Sequence, residues 1–128
     1  MNQTKIDEFT IIRTLGVGGF AKVKLVINNK GDCYALKIFK TGDPRTRKKI
    51  KMMFKEEAFF CSCQFDHQNL LRYFESRENA TKYKKNGDKV EVSYIIQEYV
   101  KGKELFTYLQ KTGGLSDKIC RHYFIQML

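Results

Sequence analysis

The feature that most limits the fold of this chain is the glycine-rich stretch at residues 15–27, LGVGGFAKVKLVI. Every second residue after the glycines is apolar, namely Ala21, Val23, Leu25 and Ile27, and this alternation predicts a half-buried strand. A dinucleotide-binding turn leads instead into a helix, whose N-terminus supplies the pyrophosphate site. A Walker-type loop fails as well, because no Gly-Lys-Ser/Thr follows the glycines. The stretch therefore predicts a turn between two strands.

Four other segments also show strand character. Residues 9–16 precede the glycines, and residues 33–39 follow the strand predicted at 21–27. These three segments together predict a three-stranded antiparallel meander. Residues 70–78 and 90–100 resemble a fourth and a fifth strand, and Asn86-Gly87 between them is a strong hairpin signal. The second half of 90–100 is continuously apolar, which indicates burial on both faces.

One long helix is predicted between the third and fourth strands. Asp43 offers a capping carboxylate and Pro44 suits the first helical position. Apolar residues then recur every three or four positions, at Ile50, Phe54, Ala58, Cys61 and Phe65. Cations crowd the first turns and oppose the helix dipole, so we expect a frayed or irregular start. Two shorter helices are expected after residue 101, the second capped by Ser116 or Asp117.

Composition excludes several classes of protein. A chain of 128 residues with 42% hydrophobic residues is one domain or part of a larger one, with enough apolar side chains for a packed core. No stretch has the length of a membrane span and no signal peptide is visible, so we expect a cytoplasmic or nuclear location. The four cysteines contain no CxxC pair, and we expect buried free thiols rather than a zinc or disulfide framework.

The formal net charge of +10 attracts anions without selecting among them. The basic segments 45–51 and 82–89 are candidates for contact with nucleic acid or an acidic membrane. A solvated basic surface is the commoner reason for such charge runs.

Several motifs, in order along residues 9–128, resemble those of protein kinases. Residues 16–23 (GVGGFAKV) resemble the kinase glycine-rich loop, and residues 34–37 (YALK) resemble the kinase Val-Ala-Ile-Lys segment. Residues 67–69 (HQN) resemble the kinase His-Pro-Asn turn, and residues 94–106 resemble the hinge between the two kinase lobes. The run from 102 to 128 looks most like Ser/Thr kinases related to calmodulin-dependent and AMP-activated kinases. Ala21 departs from the pattern, because the family usually has a third glycine there, and we expect looser nucleotide affinity.

The resemblance implies an α+β fold, with a kinase-like small lobe of five antiparallel strands and one main helix. The hinge and the first helices of the large lobe would follow. The implied organisation is an N-terminal extension at 1–8, the small lobe with hinge at 9–100, and the start of a truncated large lobe at 101–128.

The resemblance also implies an ATP site. Gly16, Gly18, Gly19 and Phe20 would form the flap, and Lys37 would contact the α- and β-phosphates. Leu15, Val23 and Ala35 would enclose the adenine ring, although each is equally suited to the core. Gln97 would guard the back of the pocket, Glu98 and Val100 would offer backbone groups to the adenine edge, and Glu104 would reach the ribose. Glu104 is almost equally well explained as an acid at a helix start.

Lys37 needs an acidic partner, because a lysine in an apolar strand is costly to bury unpaired. In the family this partner is a Glu on the helix. Counting back from His67 by the spacing usual in the family reaches Ala58, which is not an acid. Helical phase places Glu57 beside the inward stripe and Glu56 away from it, so Glu57 is the predicted partner. The alternative is that both acids are solvent-exposed charges that balance the basic segment 45–51.

The family's catalytic loop (His-Arg-Asp…Asn) and metal-binding Asp-Phe-Gly do not occur in these 128 residues. We therefore expect the N-terminal half of a kinase domain, inactive as a fragment, with no metal site of its own and Mg²⁺ bound only by the full domain. The parent protein would phosphorylate Ser or Thr in a protein substrate that the sequence does not indicate. The alternative is a non-catalytic kinase-like module that binds partners or a nucleotide.

Overall fold

The computed structural model describes residues 3–128. Its elements are β1 (Lys5–Ile6), β2 (Phe9–Val17), β3 (Ala21–Ile27), β4 (Cys33–Phe39), α1 (Pro44–Cys63), β5 (Tyr73–Tyr83), β6 (Lys89–Gln97), α2 (Leu105–Thr112) and α3 (Asp117–Met127). This arrangement confirms the predicted α+β class.

The five longer strands form one antiparallel sheet in the order β2-β3-β4-β6-β5. The chain leaves β4 through α1 and returns as β5 on the far side of β6, so β4 and β6 are neighbours. The short strand β1 lies inside the stretch predicted as an N-terminal extension. Ile6 pairs with Phe9 of β2 and also with Lys82 near the end of β5.

Strands β3 and β4 have the predicted bounds, whereas β5 and β6 do not. β5 begins at Tyr73 and runs to Tyr83, later and longer than expected, and β6 ends at Gln97. The β5–β6 ladder continues to the pair Tyr83 and Lys89, next to the predicted turn, where Gly87 has a φ of +88°. Cross-strand pairing carries the strand through a polar segment that has no apolar alternation of its own.

Helix α1 begins at the predicted cap. The Asp43 carboxylate accepts a 2.9 Å hydrogen bond from the Arg45 amide, and Pro44 is the first helical residue. The expected irregular start is wrong, because the helix is regular from Pro44 onward. The expected stripe is wrong at its last member: the helix ends at Cys63, Gln64 takes a left-handed conformation, and Phe65 is exposed beyond it.

The two faces of the sheet carry separate apolar clusters. The first consists of buried residues from the strands: Ile6, Phe9, Val26, Leu36, Ile38, Ala80, Val92, Tyr94 and Ile96. The second lies between the sheet and α1 and contains Phe39, Ile50, Phe54 and Ile95. Tyr94 and Ile96 join one cluster and Ile95 joins the other, which confirms the prediction that this apolar run is buried on both faces.

All four cysteines are free, but the expectation of buried thiols holds only for Cys61. Burial raises the pKa of the Cys61 thiol.

Ser116 is the cap of α3, because its hydroxyl accepts from the Ile119 amide at 3.5 Å. The apolar side chains of α3 are largely exposed. Within residues 3–128, no helix is long and apolar enough to cross a membrane.

Candidate nucleotide-binding site

Strand register brings several predicted site residues onto one face of the sheet. Val23 of β3 lies opposite Lys37 of β4, and Ala35 of β4 lies opposite Gln97 of β6. Ala35 and Lys37 are two residues apart in one strand, so their side chains share a face. Gly16 of β2 is opposite Val23, which places the start of the flap beside the same group.

Lys37 and Glu57 form an ion pair between β4 and α1. The Lys37 ammonium nitrogen lies 2.6 Å from a Glu57 carboxylate oxygen, and the two side chains are 28% and 21% exposed. Glu56 is exposed on the neighbouring helix position. Lys37 is therefore held at a defined place on the sheet face, with a charged partner for a partly desolvated ammonium.

The surroundings of this pair are partly apolar. The Lys37 ammonium is 5.4 Å from the centre of the Phe39 ring. Burial, followed by the negative charge of Glu57, raises the pKa of the Tyr73 hydroxyl on β5. The pair therefore lies among aromatic side chains while both of its members keep some contact with solvent.

The glycine-rich flap is the turn between β2 and β3. The Gly18 amide donates a 2.8 Å hydrogen bond to the Ala21 carbonyl, which closes the turn. A Cβ atom added to Gly16 or Gly19 would meet no atom within 4 Å, so both positions border open space. The flap glycines do not adopt positive φ, and neither does Ala21. The glycines therefore provide room for close approach, and the φ of Ala21 gives no reason for weaker nucleotide binding.

The predicted hinge residues lie just beyond the end of β6. The Glu98 amide donates to the Arg72 carbonyl at 2.8 Å, and the Arg72 amide donates to the Glu98 carboxylate at 3.3 Å. Among the described residues, the Glu98 carbonyl and the Val100 amide make no hydrogen bond, which leaves an acceptor and a donor free. The Tyr99 hydroxyl accepts from Arg13 of β2 at 3.2 Å and ties this segment to the sheet.

Other predicted residues are less closely joined to Lys37. Leu15 is half-buried in β2, at a register shift between Thr14 and Gly16. Glu104 is the exposed cap position of α2, and its side chain makes no capping hydrogen bond. Glu98 and Val100 line a cavity of about 530 Å³ whose other walls include Tyr123 of α3. No group of three or more His, Cys, Asp or Glu in residues 3–128 is arranged to hold a metal ion.

The two basic segments lie on different elements and are partly paired. Lys51 of α1 is 3.4 Å from Glu78, and Lys84 is 3.9 Å from Asp88. Burial, followed by the charges of nearby lysines, lowers the pKa of Lys82. Contact of these segments with nucleic acid or an acidic membrane remains a prediction.

Comparison with known proteins decides the family. The family model described as protein kinase domain matches residues 9–128, nearly the whole chain. The chain belongs to the protein kinase family.

The kinase chain is similar over almost its whole length to much longer Ser/Thr kinases. It is 31% identical to the CBL-interacting serine/threonine-protein kinase 8 of Arabidopsis thaliana, over 97% of this chain and 25% of that protein. It is 28% identical to the probable serine/threonine protein kinase IRE4 of Arabidopsis thaliana, over 99% of this chain and 11% of that protein. It is 26% identical to the cAMP-dependent protein kinase catalytic subunit of Dictyostelium discoideum, over 97% of this chain and 17% of that protein. The chain therefore spans about a quarter or less of these relatives.

Sequence reasoning missed one residue that contacts the flap of this kinase chain. The Lys40 ammonium donates to the Gly18 carbonyl at 2.6 Å and to the Gly19 carbonyl at 3.3 Å. The only sequence signal is indirect: Lys40 follows β4, whose last residue, Phe39, pairs with Ala21 just after the flap. No motif marks a lysine at this position.

Proposed function

We propose that this chain forms the ATP-binding part of a protein kinase that transfers the γ-phosphoryl group of ATP to Ser or Thr hydroxyls of proteins. The observation that carries the proposal is the Lys37–Glu57 ion pair beside the glycine-rich flap. An ammonium has three donors, and among the described residues Lys37 donates only to Glu57. Its remaining donors are available to phosphate oxygens, which approach where Gly16 and Gly19 leave open space.

The same sheet face suits the rest of the nucleotide. The apolar side chains of Leu15, Val23 and Ala35 would pack on a flat adenine ring, and Gln97 would limit its depth. The free Glu98 carbonyl and Val100 amide match the donor and acceptor at the adenine edge. Glu104 would accept from the ribose hydroxyls, which requires its exposed side chain to turn toward them.

When bound, ATP supplies the phosphoryl group, and the transfer depends on positioning and charge neutralisation. The residues of this chain would bind and orient the nucleotide. The motifs with which kinases hold Mg²⁺ and orient the acceptor hydroxyl do not occur in the 128 residues. We therefore propose that these residues alone bind ATP without transferring its phosphoryl group. We retain 1–8, 9–100 and 101–128 as the proposed extension, small lobe with hinge, and start of the large lobe.

The proposal is tested by titration of the 128-residue chain with a fluorescent ATP analogue. Lys37→Met should weaken binding by roughly tenfold or more, because a charge-assisted contact to phosphate is lost. Lys30→Met removes an equal charge from an exposed turn and should leave affinity unchanged. Equal affinity of Lys37→Met and the parent chain would refute the proposed contact of Lys37 with the phosphates.

The alternative, a kinase-like module without catalysis, shares this binding site. The two are separated by a protein in which this chain continues through the kinase catalytic loop and metal-binding motif: phosphorylation of a Ser/Thr peptide that Lys37→Met abolishes identifies the kinase. ATP binding by such a protein without any transfer identifies the module.

A further inference from the structure

Three contacts join the end of β4 to the tip of the glycine-rich flap. The side chain of Lys40 donates to the carbonyls of Gly18 and Gly19, at 2.6 Å and 3.3 Å. The backbone amide of Lys40 donates to the Phe20 carbonyl at 2.9 Å. One residue thus binds three consecutive carbonyls at the turn, and an ammonium forms stronger hydrogen bonds to carbonyls than a neutral donor does.

These contacts fix the orientation of the flap amides. A trans peptide unit is planar, and its C=O and the N–H of the next residue point in opposite directions. With the Gly18 and Gly19 carbonyls turned toward Lys40, the amides of Gly19 and Phe20 point away from it. Neither amide makes a hydrogen bond among the described residues. Lys40 therefore orients the free amides of Gly19 and Phe20 toward the side of the flap that faces away from Lys40.

The flap is also held by apolar contact. Phe20 packs against the cluster formed by Phe39, Ile50, Phe54 and Ile95, and two of these residues belong to α1. The Lys49 ammonium, also on α1, lies 4.8 Å from the centre of the Phe20 ring. The flap tip is consequently attached to both β4 and α1, the two elements that carry Lys37 and Glu57.

We propose that Lys40 is a positioning residue that latches the flap and presets its free amides for the phosphates of a bound nucleotide. This role rests on the proposed ATP site, since Lys40 acts through the flap backbone. Without the latch, the peptide units at 18–20 rotate more freely, and the nucleotide must order them on binding. The loss should appear as a more mobile flap and as weaker binding.

The test compares Lys40→Met and Lys40→Arg with the 128-residue chain and with Lys30→Met. Amide hydrogen exchange at Gly18, which is bonded to the Ala21 carbonyl, reports opening of the flap, and the Gly31 amide reports a distant turn. In Lys40→Met, exchange at Gly18 should be roughly 3- to 10-fold faster, with Gly31 unchanged, because charge-assisted hydrogen bonds are lost. Affinity for a fluorescent ATP analogue should fall by a similar factor, and Lys40→Arg should restore both.

The exchange measurement separates a latch from a simple electrostatic effect, because the loss of a distant charge weakens anion binding without opening the flap. Unchanged exchange at Gly18 in Lys40→Met overturns the latch. Faster exchange with unchanged affinity overturns its role in positioning the nucleotide. If the parent chain does not bind the analogue, the proposed ATP site and this positioning role fail together, while faster exchange would still establish the contact of Lys40 with the flap.

Discussion

The Tyr94 hydroxyl donates a 2.9 Å hydrogen bond to the Asp7 carboxylate. Tyr94 is fully buried in β6, and Asp7 lies in the turn between β1 and β2 with a φ of +48°. The same carboxylate accepts from Arg77 of β5 at 2.9 Å. The short strand β1 is therefore held to the sheet by a polar network as well as by backbone pairing.

This network should make stability depend on alkaline pH. Burial, followed by the hydrogen bond to Asp7, raises the pKa of Tyr94; Glu75 also raises it and Arg77 lowers it. In the unfolded chain tyrosine loses its proton near pH 10. Above that pH the unfolded chain binds fewer protons than the folded one, so the free energy of unfolding falls as pH rises.

Tyr94→Phe removes the titrating group and should reduce this alkaline loss. At neutral pH it should lower the free energy of unfolding by about 0.5–1.5 kcal/mol, the usual net value of one hydrogen bond. Urea unfolding of both proteins on either side of pH 10 measures the difference. The matched control is Tyr108→Phe, whose ring is exposed. Identical pH dependence in Tyr94→Phe and the parent chain would refute the assignment.

Removal of the Lys37 partner should affect binding more than folding. Glu57→Ala should lower the free energy of unfolding by only about 0.5–1 kcal/mol, because both side chains keep contact with solvent. Affinity for an ATP analogue should fall severalfold, since the Lys37 ammonium is no longer held in place. Glu56→Ala removes the same charge from an exposed position and should change neither quantity. Equal effects of the two substitutions would mean that the ion pair does not matter for binding.

Local patterns explain which elements could be predicted. The bounds of β3 follow from alternation between the flap glycines and a polar turn, and the start of α1 follows from Asp43 and Pro44. β5 is rich in charged residues: Arg77 pairs with Glu75 of the same strand and with Asp7 in the distant turn between β1 and β2. Its bounds depend on pairing with β6 and were not recoverable from its own sequence.

In the candidate site, too, local patterns predicted some contacts, whereas others depend on tertiary packing. The kinase resemblance implied a helical Glu as the partner of Lys37, helical phase favoured Glu57 over Glu56, and the structure pairs Glu57 with Lys37. The contact of Lys40 with the flap could not be predicted, because it depends on how the end of β4 lies against a turn about twenty residues earlier. The exposure of Cys33 and Cys63 was likewise missed, since cysteine is usually buried and only packing shows which thiols face solvent.

The cap of α1 gives a direct test of helix energetics. Asp43→Ala removes the acceptor for the Arg45 amide and should lower the free energy of unfolding by about 1 kcal/mol. Glu104→Ala changes the cap position of α2, where the side chain makes no capping bond, and should have almost no effect. Urea unfolding measures both. A loss in Glu104→Ala as large as that in Asp43→Ala would contradict the capping argument.

The apolar side chains on α2 and α3 should drive self-association of the 128-residue chain. Phe106, Phe124 and Ile125 are each at least 60% exposed, and large exposed apolar side chains favour contact between proteins. Ile125→Glu places a charge on this surface while keeping a good helix former, so it should shift the chain toward monomer. Sedimentation velocity over a range of concentrations measures the shift.

The control for this prediction is Gln110→Glu, which adds the same charge at an exposed position of α2. Both substitutions add one carboxylate and lower the net charge of +10, so the change in overall repulsion between chains is the same in both and would favour association, not dissociation. Dissociation in Ile125→Glu alone therefore identifies the apolar surface of α3 as the contact. A parent chain that stays monomeric at every concentration would show that these side chains do not associate, whatever their exposure.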